Sequence, residues 1–423
     1  MAEVQGVPGN SNLGELTSAD ESLAKAEAMV GSVLAAAPRD RTALLQAAEI
    51  AHDRMIVSDT LRRPDQSLLF AQRSAGYLDT LVSLGISGQD APAIARFYTN
   101  IALASANRHR LDDAVRYARR AVESARSGNR SDYVAGGLSV LSNALRLRGD
   151  LDEALKATQE ARTFQEQQPD DSGRQNNLIV TIWREGRILG EDDEINLNRP
   201  AEAIPVLQTA CDLADQLARR DPADYGSRAR FVAAARDLGD ILRHSDPARA
   251  LAIYDSGLRR SAEIKNTESA HDRVRLLADS SYPLRALHRT AEAKQRIDAA
   301  FDLLGTMEQW PAQSIRPREE GVFALRALVD YDADTGRQQD AIEKYRELIQ
   351  KIMASKPSPD SDLRDANSIS VIQAALSKLE RKSGHADAAA ALDRSRRELW
   401  QQWDKKLPNN SFVRRQLAAL PSN

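Results

Sequence analysis

HRLDDAV (His109 to Val115) and, forty residues on, GDLDEAL (Gly149 to Leu155) are two copies of one phrase. A turn is followed by an acidic or polar residue, and then by an alanine that opens an amphipathic helix. The phrase recurs as NRPAEAI (198–204), SDPARAL (245–251), HRTAEAK (288–294), GRQQDAI (336–342) and SGHADAA (383–389). Two looser copies, ADESLAK (19–25) and PDQSLLF (64–70), carry serine in place of the alanine. Taking the small residue as a register mark gives Ser22, Ser67, Ala114, Ala154, Ala203, Ala250, Ala293, Ala341 and Ala388, at intervals of 40 to 49 residues.

A small residue at that point lets one helix cross another closely, because a larger side chain would force the two apart. Further small residues follow one and two turns later, among them Ala118, Ala121, Ala161, Ala210 and Ala300. Ahead of the marks lie other helical patterns: Phe97-Tyr98-Ile101-Ala102, Leu138-Leu141-Leu145, Phe231-Leu238-Ile241-Leu242 and Val322-Leu325-Leu328. Each unit is therefore predicted to be a helix-turn-helix. Such hairpins cannot bury their apolar faces alone, so the expected fold is all-α, a solenoid of stacked hairpins.

Composition agrees with this. A chain of 423 residues exceeds one compact core, and the hydrophobic fraction of 42% comes with only 5% aromatics, 21 Gly and 16 Pro, which favours helix over sheet. With 58 Lys and Arg against 61 Asp and Glu, the net charge of -3 provides no field to gather nucleic acid or anionic membrane. Cys211 is the single cysteine, so internal disulfides and multi-cysteine metal sites are excluded, and it is expected to pack as a small apolar residue. Met1 to Asp20 has neither a basic start nor an apolar stretch, and Ala28 to Pro38 is too short to span a bilayer.

The phrase resembles the tetratricopeptide repeat, in which a short turn leads to an alanine early in the second helix, and the resemblance implies that the all-α stack is a right-handed α-α superhelix. Leu238-Gly239 resembles that family's leucine-glycine pair, and Pro38, Pro169, Pro222 and Pro357 fall where it places its linker proline. The period exceeds the family's usual length, so longer helices or insertions such as Gly190 to Asn198 are expected. HEAT and armadillo repeats have comparable periods, but the turn-acid-alanine phrase favours the tetratricopeptide type. The expected organisation is a linker with a truncated first repeat over 1–18, eight to nine hairpins over 19–410, and a capping segment over 411–423. Met1 to Leu16 is rich in Gly, Pro and Asn and is not expected to supply a first helix.

Val4-Gln5-Gly6 through Asn12-Leu13-Gly14 resembles the start of the repeat region that follows the membrane segment in a group of bacterial serine/threonine protein kinases. The resemblance implies a non-catalytic C-terminal sensor or scaffold region, extracytoplasmic in such a kinase and otherwise cytoplasmic. The alternatives are the regulatory domain of a cytoplasmic transcription activator and a stand-alone adaptor.

No chemistry is expected. The phosphate loop, HRD and DFG segments of kinases are absent from the sequence, as are GxSxG, GxGxxG and HExxH. His52, His109, His244, His271, His288 and His385 are dispersed. Glu191-Asp192-Asp193-Glu194 lacks the ligand alternation of a calcium loop and reads as a solvated insertion. The arginines from Arg108 to Arg130 are interleaved with Asp112, Asp113 and Glu123, as on an exposed helix face. Trp183 could face either groove or core, and Trp400 and Trp403 are expected to cover the end of the stack. Enzyme activity, cofactor and metal are thus not expected.

The resemblance implies that the first helices of successive hairpins line a groove for an extended peptide. Projected onto this register, the groove residues are Arg96, Asn100, Asn143, Arg146, Arg184, Arg187, Arg236, Asp240 and Arg243. Asparagine can clamp a peptide backbone and arginine can pair bidentately with a carboxylate. The expected partner is a protein or peptide, with an acidic segment or chain terminus preferred, and neither nucleic acid nor membrane.

Overall fold

The computed structural model describes residues 2–7, 13–167, 172–221, 224–264, 267–307 and 310–421, and every regular element among them is helical. In order they are α1 (Ala2–Gly6), α2 (Leu16–Ala36), α3 (Arg41–Thr60), α4 (Pro64–Ser83), α5 (Ala91–Asn107), α6 (Leu111–Ser127), α7 (Ser131–Arg148) and α8 (Leu151–Glu166). They continue with α9 (Ser172–Gly190), α10 (Pro200–Arg220), α11 (Tyr225–Leu242), α12 (Pro247–Ala262), α13 (Thr267–Ala286) and α14 (Thr290–Met307). The last are α15 (Glu320–Asp334), α16 (Gln338–Ala354), α17 (Leu363–Lys382), α18 (Ala386–Lys406) and α19 (Ser411–Ala418). The chain forms two compact units, residues 1–148 with 156–168, and residues 149–155 with 169–423. No helix among the described residues is long and apolar enough to cross a membrane.

The even-numbered helices from α2 to α18 share one construction. The fourth residue of each is small and buried: Ala19, Ser67, Ala114, Ala154, Ala203, Ala250, Ala293, Ala341 and Ala389. Its backbone N–H donates to the carbonyl of the residue just before the helix, as from Ala114 to Arg110 and from Ala341 to Arg337. Two marks therefore differ from the sequence reading. Ser22 and Ala388 are only half-buried, and Ala19 and Ala389 take their places. In both copies an adjacent run of small residues offered more than one candidate, and the turn decides between them.

Five residues before the mark, the backbone enters the left-handed region at Gly14, Arg62, His109, Gly149, Asn198, His288, Gly336 and Gly384. Gly, Asn and His are the residues that tolerate this conformation best, which explains why turns of such different composition are equivalent. The α11–α12 turn closes instead on Asp246, whose side chain accepts from the Arg249 N–H at 3.0 Å.

Ala118, Ala121, Ala161, Ala210 and Ala300 are fully buried, as the close crossing requires. Gly239 serves the same end: a Cβ there would stand 2.7 Å from the Tyr254 ring, so Leu238-Gly239 is the seat of that tyrosine. Cys211 is buried in the core of α9 to α12, where burial raises its thiol pKa, as expected of a packing residue.

The period is long for two reasons. The paired helices from α3 to α18 run 15 to 21 residues, and an insertion separates α9 from α10. Pro38 and Pro357 lie between hairpins, whereas Pro169 and Pro222 lie outside the described residues.

Against expectation, the first residues do include a helical turn, the five-residue α1, tied to α2 by the Ser22 hydroxyl donating to Gln5 Oε1 at 2.7 Å. Val4-Gln5-Gly6 lies in α1, and Asn12 lies outside the described residues. Trp400 and Trp403 do not cover an exposed end. Both are buried with Leu151, Ile195, Leu363, Phe412 and Val413 in a core that the short α19 completes within the second unit. Trp310 packs beside Phe301, with ring centroids 5.8 Å apart.

Candidate peptide-binding site

In the second unit the first helices of the hairpins, α9, α11, α13, α15 and α17, bring charged side chains to one another across an otherwise apolar stack. Asp237 on α11 is fully buried. It accepts from Trp183 Nε1 on α9 at 2.8 Å and from Arg236 Nε at 3.0 Å, and Arg187 of α9 stands 3.5 Å away. Burial opposes its ionisation, but Arg236, Arg187 and Arg275 outweigh that and hold the carboxyl below its usual range. Arg236 also donates to Asp272 on α13 at 2.9 Å.

One turn along α11, Asp240 accepts from Tyr254 Oη at 2.5 Å and from Arg275 on α13 at 3.3 Å. Burial and the nearby Asp279 push its pKa up to about 7 against the pull of Arg275 and Arg243. Arg243 stacks over Tyr282 with its guanidinium 4.4 Å from the ring centre, and Arg275 stacks over Phe323 at 4.0 Å. On α15, Asp330 accepts from Tyr282 and Tyr345 at 2.8 and 2.6 Å. Several of these charges meet a counter-charge on a neighbouring first helix, as Asp237 meets Arg187, Arg236 meets Asp272 and Asp240 meets Arg275, while Asp330 is held by tyrosine hydroxyls.

Onto this face folds the insertion between α9 and α10. Asp192 accepts from Arg243 at 2.7 Å and from His244 Nε2 at 2.8 Å. Burial would raise the Asp192 carboxyl, but these two partners lower it to about 2, and the Asp192 hydrogen bond in turn raises His244. Asp193 accepts from Arg326 on α15 at 2.9 Å, and its backbone carbonyl accepts from Asn367 on α17 at 2.6 Å. The Asn196 carbonyl accepts from Arg415 on α19 at 2.7 Å, while Glu191 pairs bidentately with Arg187 at 2.7 and 2.8 Å. The solvated loop expected at Glu191–Glu194 is corrected in part: Asp193 is exposed and Asp192 and Glu194 are half-buried, but Glu191 is 2% exposed and Ile195 is fully buried. Runs of acidic residues usually face water, but here Glu191 pairs with Arg187 on the preceding helix, and Asp192 and Asp193 pair with arginines of later repeats.

The nine projected groove residues divide between the units. In the second, Arg187, Arg236, Asp240 and Arg243 join the network above, and Arg184 sits half-buried on α9. In the first, Asn100 Nδ2 and His52 Nε2 are 2.9 Å apart, and Arg96 lies over Phe97 with Glu49 at 3.5 Å. Asn143 is half-buried and Arg146 buried, both on α7. The projection did not reach Arg275, Arg326, Tyr282 or Asn367. Carrying its register on to α13 and α15 would have found the two arginines, whereas Asn367 has no comparable signal. The arginines from Arg108 to Arg130 largely pair at the surface, as Arg116 with Asp113 at 2.7 Å and Arg130 with Asp132 at 3.1 Å.

No protein-family model matches this chain, and no curated protein does. Among solved structures, it is similar to the apo form of the quorum sensor NprR from B. thuringiensis, with a TM-score of 0.56, 11% identity, and coverage of 84% of this chain and 88% of that one. It is also similar to a Rap protein complexed with competence and sporulation factor, with a TM-score of 0.54 and 11% identity over 95% of this chain and 99% of that one. Apo RapI aligns with a TM-score of 0.52 and 12% identity over 73% of this chain and 98% of that one. Together with the hairpin construction, these likenesses place the fold among the tetratricopeptide-like superhelices of helical hairpins.

Proposed function

We propose that this chain is a non-catalytic binding domain that takes acidic, extended segments of a protein or peptide on the first-helix face of its second unit. The observation supporting this reading is the acidic stretch already lying there, with carboxylates on Arg243 and Arg326 and its backbone on Asn367 and Arg415. Guanidinium groups give geometric selectivity for carboxylates, and a side-chain amide fixes backbone register without demanding a particular side chain. The Rap structure contains a bound factor, and the shared fold makes a peptide ligand a reasonable use of this scaffold.

A labelled acidic dodecapeptide, with its amide counterpart as control, tests the reading by fluorescence anisotropy. Wild type should prefer the acidic peptide, and Arg187→Ala with Arg326→Ala should lose about tenfold or more in affinity, the range expected for a charge-assisted contact. Equal affinity for both peptides, or none lost in the variant, removes the assignment. The motif at Val4-Gln5-Gly6 and Leu13-Gly14 further supports a place beside a bacterial serine/threonine kinase domain. A kinase domain and membrane helix encoded upstream of Val4 would agree with that placement, and an isolated promoter and start codon would sink it.

A further inference from the structure

The insertion between α9 and α10 is held in the manner of a bound peptide. A hairpin turn needs only local hydrogen bonds, as the α5–α6 turn shows with His109 N donating to Ala106 O at 3.1 Å and Arg110 N to Ser105 O at 3.0 Å. The insertion has local bonds too, such as Asn196 Nδ2 donating to the Glu191 and Glu194 carbonyls. Beyond these and the local Glu191–Arg187 pair, it has anchors from residues 51, 133, 174 and 219 positions away: Arg243, Arg326, Asn367 and Arg415.

Three kinds of grip are present. Two adjacent carboxylates rest on two arginines. A backbone carbonyl is clamped by asparagine. Ile195, two residues after Asp193, is an apolar anchor fully buried among Leu151, Leu363, Trp400 and Phe412. These are the elements by which helical repeats recognise extended ligands.

Two further features point to a ligand outside the chain. The Nε atoms of Arg243 and Arg326 are buried without a hydrogen-bond partner among the described residues, so the arginines that hold the insertion keep unused donor capacity. Beside the insertion lies a cleft of about 560 Å³, bordered by Pro200, Ile204, His244, Asn367, Val371 and Arg415. That is the size of a ligand pocket.

We infer that residues 192–195 are an intramolecular ligand, and that the face they cover is built for a segment of another protein carrying two adjacent carboxylates and, two positions on, an aliphatic residue. This rests on the binding reading above and adds the recognition pattern and its competitor. A tethered ligand acts at millimolar effective concentration, so an external segment wins by reaching donors the insertion leaves unused. Its apparent affinity for the intact chain is reduced by the fraction of molecules whose insertion is open.

The test uses the full chain and a fluorescein-labelled peptide with the sequence of residues 190–198. Loosening the insertion from its own side, by Asp192→Asn with Asp193→Asn or by Asp193→Asn alone, should tighten peptide binding about tenfold or more relative to wild type. In wild type, hydrogen exchange at residues 190–198 should rise on adding the peptide. The same peptide with both aspartates changed to asparagine should do neither. Should the double variant not fold, Asp193→Asn keeps the test alive, since it weakens one contact of the insertion and leaves Arg243, Arg326, Asn367 and Arg415 of the receiving face in place. The inference is overturned if the loosened chains bind no more tightly than wild type, or if the insertion stays protected at saturating peptide. If acidic peptides bind wild type through Arg187 and Arg326 while the loosened chains are unchanged, only this inference falls. If no chain binds any acidic peptide, the reading it rests on falls with it.

Discussion

The first-helix faces of the two units carry similar residue types and use them in opposite ways. In the first unit, His52 and Asn100 meet as polar side chains against Phe97, and the pair Arg96–Glu49 is about half exposed on both sides. An ion pair in that setting is worth little, because water already solvates both charges. In the second unit, Arg187, Arg236, Asp237 and Arg243 are withdrawn from water and paired with one another, with the neighbouring first helix and with the insertion. Arginine in the right register therefore does not by itself make a charged face. What separates the two faces is burial: Arg96 and Glu49 pair across repeats while about half exposed, whereas Asp237 meets Arg187 and Arg236 out of water.

This contrast can be broken most directly at Asp237. Asp237→Ala leaves Arg187, Arg236 and Trp183 without their shared acceptor in the interior, and should cost about 3–5 kcal/mol in urea unfolding, the usual penalty for breaking a buried pair. Asn100→Ala in the first unit should cost nearer 1 kcal/mol, the net value of one hydrogen bond. Equal losses would show that the two faces do not differ in the way described.

The frame beneath both faces should behave alike. Ala114→Leu in the first unit and Ala250→Leu in the second overpack the same helix crossing, and each should cost about 1–3 kcal/mol by thermal unfolding. Ala389→Leu should join them, while Ala388→Leu should stay within about 0.5 kcal/mol, as for a surface substitution. The reverse order for the last pair would restore the mark read from sequence.

The smallest effect should come from His244, whose side chain is largely exposed. Its hydrogen bond to Asp192 raises its pKa above the ordinary histidine value. Its contribution to stability is therefore complete below that ordinary value and is lost as pH rises through the raised one. Asp192, lowered to about 2, stays ionised across that window and sets no limit on it. The unfolding margin of wild type over His244→Ala should accordingly be present near about pH 6 and shrink towards about pH 9, with Arg243 and Asp193 as the other charges acting on the imidazole. A margin that grows with pH would contradict this pairing.

Much of the frame was legible before any coordinates. The alternation of a turn, an acid and a small residue located the second helices, because close crossing leaves a compositional trace at a fixed place. The trace blurred at Ser22 and Ala388, where neighbouring small residues made the register ambiguous until backbone conformation settled it. Five of the nine projected groove residues lie in the second unit on helices that build the charged face, and the other four lie in the first. The reading failed in part at Glu191–Glu194, where Asp193 is exposed but Glu191 is buried, since local composition reports average hydration and cannot see cations arriving from residues as distant as Arg243 and Arg326.

Local chemistry, then, was sufficient for the paired helices, their turns and seven of the nine small residues at their crossings. Each depends on side-chain volume and backbone freedom within one hairpin, and both are written in adjacent residues. The burial of Asp237, the capture of Asp192 and Asp193, and the seating of Ile195 beside Trp400 and Phe412 depend on side chains brought together from separate repeats. The free energy of a buried charge turns on the position of its partner within a few ångströms, and that position exists only once the repeats have stacked.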